Sequence, residues 1–179
     1  MGKGVQGELR FRSWGGRRAG AGRKPKEPGR VVSHGKRAPL AARFPVHVVV
    51  RLVRGLPSLR DPKLYRVVRE AFAAGCERFG LRLVQYSVQG NHLHLIAEAK
   101  DRLAMSRGMK GLLVRVARAV NRVWGRKGKV FAERYFDRIL KTPREVRNAL
   151  AYVLHNARRH GVRFRQVLDW CASGAWFDG

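Results

Sequence analysis

Acidic side chains are scarce in this chain: 12 Asp and Glu stand against 39 Lys and Arg, for a formal net charge of +27. An imbalance of that size needs a polyanion or a strongly anionic surface opposite it, and nucleic acid is the first candidate. Cysteine is nearly absent. Cys76 and Cys171 lie far apart and outside any CxxC spacing, which argues against a disulfide framework and for ordinary thiols in a reducing compartment. Long apolar runs are also missing. The longest strand-like run, FPVHVVV, falls far short of the roughly 18 to 20 residues that span a bilayer, so no membrane partner is expected. The leading residues MGKGVQGELRFRSWGG lack an apolar signal core and a small-residue cleavage site, so a cytoplasmic, nucleoid-associated protein is expected.

What is present divides unevenly. At 179 residues the chain has room for one domain and a tail rather than two domains. Residues 1–43 are rich in Gly, Arg, Lys and Pro and offer little apolar surface to offset ordering, so they read as a flexible basic arm. The GRKPK string within it resembles the minor-groove core of an AT-hook, a pattern that solvated basic tails also produce. Residues 44–160 read as the folded domain and 161–179 as a C-terminal tail, either docked or partly ordered.

Within the domain, Val46, Val48, Val50 and Leu52 alternate with more polar positions, the period of a strand. Asp61 and Pro62 start a helix as N-cap and first-turn proline, with Leu64, Val67, Val68, Ala71, Phe72 and Phe79 at helical spacing and Gly80 as its end. LRLVQYSV and HLHLIAEA follow as antiparallel strands joined through Gly90 and Asn91. From about 104 to 124, Met105, Met109, Leu112, Leu113, Val116, Val120 and Val123 form one apolar stripe. Arg107, Lys110, Arg115, Arg118 and Arg122 form a cationic ladder off that stripe. KVFAERYFDRIL reads as a fourth strand with less regular alternation, and Thr142, Pro143 and Glu145 open a last helix with capping-box spacing. The series β-α-β-β-α-β-α predicts an α+β fold, a ferredoxin-like (RRM-like) split βαβ antiparallel sheet with two helices on one face and one more helix elsewhere.

His92 and His94 stand two apart on a strand, so they share a face while Leu93 and Leu95 take the other. Helices over the leucine face would leave the imidazoles on an open one, with His47 of the first strand on the same side. Such a pair can grip a divalent cation, and it can also be no more than the wet side of a half-exposed sheet. On the last helix Val146, Ala149, Leu150, Val153, Leu154 and Ala157 form the apolar stripe, and Tyr152 falls about 130° from its centre. Asn156 lies one turn beyond Tyr152, and His155 is also on the polar side. A phenol and an amide oxygen therefore sit away from the expected core contact.

QGNHLHLIAEA resembles the His-hydrophobe-His motif of the HUH single-tyrosine transposases, and NALAYVLHNARRHG resembles their nucleophile helix, in which Asn or Gln follows the tyrosine by four residues. The GGRRAGAGRKP leader and VFAERYFDRILKTPREV resemble the REP-associated tyrosine transposases within that group. Two positions depart: Gly90 and the dipeptide NA stand where many relatives carry proline. The resemblance implies that Tyr152 attacks a phosphodiester of single-stranded or hairpin DNA to give a 5′-phosphotyrosine intermediate. It further implies that His92, His94 and Asn156 hold Mg²⁺ or Mn²⁺ against the scissile phosphate, and that the protein cuts and rejoins DNA as a monomer or homodimer. Arg107, Lys110, Arg115, Arg118, Arg122, Arg158 and Arg159 are the residues expected along DNA phosphates, and His155 is a candidate proton acceptor. A non-catalytic single-stranded nucleic-acid-binding protein with an RRM-like sheet is the alternative.

Overall fold

The computed structural model of the chain describes Gly35, residues 37–156 and residues 169–176. Most of the expected arm, its GRKPK string, Arg158 and Arg159 lie outside them.

The strand expected at Val46 forms as β1 (Val46–Arg51), with Val46, Val48 and Val50 buried. Asp61 caps α1 (Pro62–Ala73) by accepting from the amides of Lys63 and Leu64. α1 then stops earlier than its sequence pattern predicts. Glu77–Arg78 forms a short strand, β2, which pairs back on β3 (Leu81–Val88) through Phe79 and Gly80, both at positive φ (59° and 72°). Two consecutive left-handed residues make the turn whose twist suits a two-residue hairpin. Gly80 therefore serves that turn rather than a helix end, and Phe79 is a turn residue, 62% exposed, instead of a member of the helix stripe.

β3 pairs antiparallel with β4 (His92–Ala99) through the expected hairpin. Gly90 is not at positive φ. It is needed for a close approach instead: an added Cβ would meet Ser58 Oγ at 3.2 Å, where the β1–α1 loop crosses the turn. Asp101 caps α2 (Arg102–Val123), which buries Met105, Met109, Leu112, Val116 and Val120 of the expected stripe, while Val123 is exposed. The fourth expected strand is broken. Leu52 bridges to Phe131, whereas Val49 pairs with Phe136, so the outer chain advances five residues while β1 advances three. Only β5 (Phe136–Ile139) is regular, and the extra residues explain the irregular alternation.

The sheet has five strands in the order β2-β3-β4-β1-β5, and every neighbouring pair is antiparallel. Leu93, Leu95 and Ala97 of β4 join Val46, Val48 and Val50 beneath α1 and α2 in the main core. α3 (Pro143–Leu154) lies on the opposite face, where Ala149 and Val153 pack on Ile96 and Leu140 in a smaller cluster. Its capping box is formed as expected, between the Thr142 hydroxyl and the Glu145 carboxylate. The architecture is thus the α+β split βαβ sheet expected from the sequence, with α1 and α2 on one side and α3 on the other.

Packing extends beyond the boundaries drawn at 44 and 161. Arg37 pairs with Asp137 at 3.1 Å and covers the Tyr135 ring, and Leu40 is buried in the core. At the other end, residues 169–173 dock along β3. The amide of Val88 donates to Cys171 O, the amide of Tyr86 donates to Ser173 Oγ, and Ser173 Oγ donates to Gln85 Oε1. A two-pronged bond between half-buried Arg60 and buried Asp169 (2.8 and 2.7 Å) fastens this segment. A short 3-10 helix, Ser173–Trp176, follows.

Candidate functional site

Alternation in β4 turns His92, His94 and Ile96 to the α3 side of the sheet, and pairing brings His47, Val49 and Arg51 of β1 to the same side. β3 adds Gln85 and Ser87, opposite Ile96 and His94, and both are buried. This face is polar where the other is aliphatic. It is not open, as the sequence reading expected: α3 crosses it, and His94 is only 4% exposed, while His92 remains half-buried.

α3 is rotated relative to its own apolar stripe. The buried line runs through Ala149 and Val153 towards Asn156, which follows the end of the helix. Val146, Leu150 and Leu154 also line a groove of about 790 Å³ with Phe44, Pro45 and Leu140. The physical reason lies beneath the helix. Ile96 and Leu140 offer a small apolar patch that takes Ala149 and Val153, and the neighbouring imidazoles take the polar flank. Tyr152, expected to point away from the core contact, therefore points into the sheet. Its ring stands edge-on to His94 and His47, with centroids 5.2 and 5.9 Å away. That is inside the reach of about 10 Å over which one phosphate could bridge a nucleophile and a cation.

The imidazoles are held in defined orientations. His92 Nδ1 lies 2.7 Å from Asn91 Oδ1; since a carbonyl oxygen only accepts, Nδ1 carries a proton. His94 Nδ1 lies 3.2 Å from His47 Nε2, with the two rings stacked at 5.4 Å. The His92 and His94 rings are 4.8 Å apart at nearly right angles. Burial, and then the charge of Arg138, lowers the pKa of His47, which favours its neutral form.

Asn156 is fully buried, and among the described residues neither Oδ1 nor Nδ2 of its amide has a hydrogen-bond partner. Buried amides are otherwise nearly always satisfied, so these two atoms stand out. Among the described residues no cluster of three or more His, Cys, Asp and Glu is arranged to hold a metal.

Other expected residues are placed elsewhere. Arg107, Lys110, Arg118 and Arg122 are exposed and Arg115 half-buried on α2, across the sheet from Tyr152. Arg115, Arg118 and Arg122 line a second groove there, against α1. His155 is exposed and lines the groove beside Leu154, on a different flank of α3 from Tyr152. The sequence reading did not single out Gln85, Ser87, Arg51 or Phe136. Strand parity carried across from His94 would have found all four, but only with the pairing register known.

Among the described residues no helix is long and apolar enough to cross a membrane. No curated protein matches the sequence. A solved REP-associated tyrosine transposase, bound in its structure to a REP hairpin, superposes with a TM-score of 0.65 at 16% identity, covering 81% of this chain and 84% of that one. A Deinococcus radiodurans R1 chain described as a transposase aligns with a TM-score of 0.46 at 17% identity, over 66% of this chain and 91% of that one. The first likeness establishes a shared fold. The family model for IS200-like transposases matches residues 42–156, a span that runs from the start of β1 through the histidine strand and α2 to Tyr152 and Asn156. By that match the chain belongs to the IS200-like transposases.

Proposed function

We propose that the protein cleaves and rejoins single-stranded or hairpin DNA through a 5′-phosphotyrosine intermediate, with Tyr152 as nucleophile and a divalent metal, Mg²⁺ or Mn²⁺, held by His92, His94 and Asn156. The observation that carries this reading is the convergence of the Tyr152 ring with His94 and His47, with the buried Asn156 amide, without a partner among the described residues, four residues after Tyr152. The donor set suits such an ion. His92 would hold the ion through Nε2, since Asn91 engages its other nitrogen, and His94 and the Asn156 amide oxygen would complete a donor set suited to Mg²⁺ or Mn²⁺. When bound, the metal supplies Lewis-acid polarisation of the phosphate.

The protein's own part is positional. An un-ionised phenol is a weak nucleophile, so the fold's contribution is to hold the Tyr152 oxygen beside the phosphate. As the bond from that oxygen to phosphorus forms, the bond from phosphorus to the 3′-oxygen breaks. The phenol gives up its proton and the departing 3′-oxygen takes one up, leaving a free 3′-hydroxyl. The ester to Tyr152 retains the energy needed for rejoining, when the same steps run backwards onto a new 3′-hydroxyl. His47, neutral and bonded to His94 Nδ1, holds that ring in place.

The test uses hairpin DNA with single-stranded extensions, labelled at the 5′ or the 3′ end, incubated with Mn²⁺ and resolved on a denaturing gel. A covalent adduct carrying only the 3′ label, absent in Tyr152→Phe, is the expected result. Tight binding with no adduct across varied hairpins would instead leave a non-catalytic single-strand-binding protein.

A further inference from the structure

β5 borders the polar face on the side away from β3. Its Phe136 pairs with Val49, which pairs in turn with His94, so the three residues form one row across the sheet. With strands about 4.8 Å apart, Phe136 sits about 10 Å from His94 along that row. It shares the face of His47 and His94, because the next residue, Asp137, turns to the other side and pairs with Arg102 of α2 at 2.6 Å.

Phe136 is 57% exposed. A large aromatic left bare on a row with buried His94 is unusual, because α3 covers the neighbouring part of the face. Arg51, at the same corner, pairs with His92 across the strands, is exposed, and has no ion-pair partner among the described residues. Arg138, one pair further along, is already bonded to Glu145 of α3 at 2.8 Å. The corner thus combines an open aromatic face with an uncommitted cation, beside the imidazoles that face Tyr152.

We infer that this corner seats the single DNA strand next to the scissile phosphate, with Phe136 stacking a nucleobase and Arg51 contacting a backbone phosphate. Single-stranded DNA is the occupant that matches both parts, since every base offers a π-face and every linkage a negative charge. The positive charge of the chain favours the same partner. The α2 ladder lies across the sheet from Tyr152 and so does not serve a strand already seated at the phenol. The choice of which nucleotide is seated rests on Tyr152 being the nucleophile; the stacking itself does not.

The probe is oligo-dT carrying one 2-aminopurine, whose fluorescence is quenched when it stacks. Wild-type protein is expected to quench it. Phe136→Ala is expected to abolish the quench and weaken binding about five- to a hundredfold, and Phe136→Trp to restore both. Arg51→Ala is expected to keep the quench and lower the slope of log affinity against log salt by about one unit. The same urea midpoint in all three variants would show that the fold is retained. Unchanged quenching and affinity in Phe136→Ala overturns the inference, as does a Phe136→Ala variant that changes only the oligomeric state in sedimentation. Absence of a Tyr152 adduct alongside a Phe136-dependent quench would remove the catalytic reading and leave the platform standing.

Discussion

Replacing Asn156 by leucine sets stability against function in a measurable way. Asn156 has no exposed surface, and among the described residues both its amide oxygen and its amide nitrogen lack partners. Each unsatisfied buried polar group costs about 1–3 kcal/mol. Leucine keeps the branching of the side chain and removes both penalties, while its larger volume costs about 1–3 kcal/mol of overpacking. Taken at their midpoints these terms leave a net gain of about 2 kcal/mol for the metal-free protein, an increase in Tm of several degrees for a chain of this size. Metal should act in the opposite sense. Mn²⁺ at a hundred times its Kd stabilises wild type by about 2.7 kcal/mol and should leave Asn156→Leu unmoved. Urea and thermal melts of both proteins, with and without Mn²⁺, read all four terms. A metal-free Asn156→Leu that unfolds before wild type, together with equal Mn²⁺ shifts in both proteins, would refute the assignment of this amide as a ligand.

Gly108→Ala should destabilise by about 1–3 kcal/mol in urea melts although alanine is the better helix former by about 1 kcal/mol. The reason is that the new Cβ collides with Leu81 Cβ and meets its Cγ at 3.0 Å, where α2 presses on β3. Arg60→Ala strips the partner from the buried Asp169 carboxylate, a change that typically costs about 3–5 kcal/mol. Its effect should be read as release of the C-terminal segment. Burial there pushes the Cys171 thiol up to about 12, so thiol labelling of native wild type should stop at Cys76 and reach Cys171 quickly only in the variant. Glu145 has its pKa lowered by its bond to Arg138 and by the amides of Lys141 and Thr142. A depressed carboxylate stabilises above its unfolded pKa and loses that contribution as pH falls through the lower folded value. Glu145→Gln should therefore lower stability at neutral pH and flatten the acid limb of the profile, its difference from wild type shrinking as pH falls below about 4.5.

Much of the fold was legible because local chemistry and global packing agree. The alternation of Val46, Val48 and Val50, the caps at Asp61 and Thr142, and the stripe from Met105 to Val120 each specify an element without reference to the rest of the chain. The end of α1 was not legible. Phe79 has helical spacing from Phe72, but a hairpin turn with two left-handed residues wins because β2 gains a partner in β3. The β5 bulge was hidden for a similar reason, since register is a property of two strands together.

The sequence by itself determined which residues share a strand face or a helix flank, because those periods are fixed by backbone geometry: His92 with His94, and Tyr152 with Asn156. Only the tertiary structure decided that Tyr152 meets His94 and His47. The rotation of α3 depends on what lies beneath it, and a sheet face that is aliphatic at Ile96 and imidazole at His94 turns Tyr152 inward where the helix's own hydrophobic stripe would have turned it away. The same packing put the arginine ladder of α2 behind the sheet and left Phe136 bare beside the site. No linear pattern records such choices, because they follow from contacts between segments far apart in the chain.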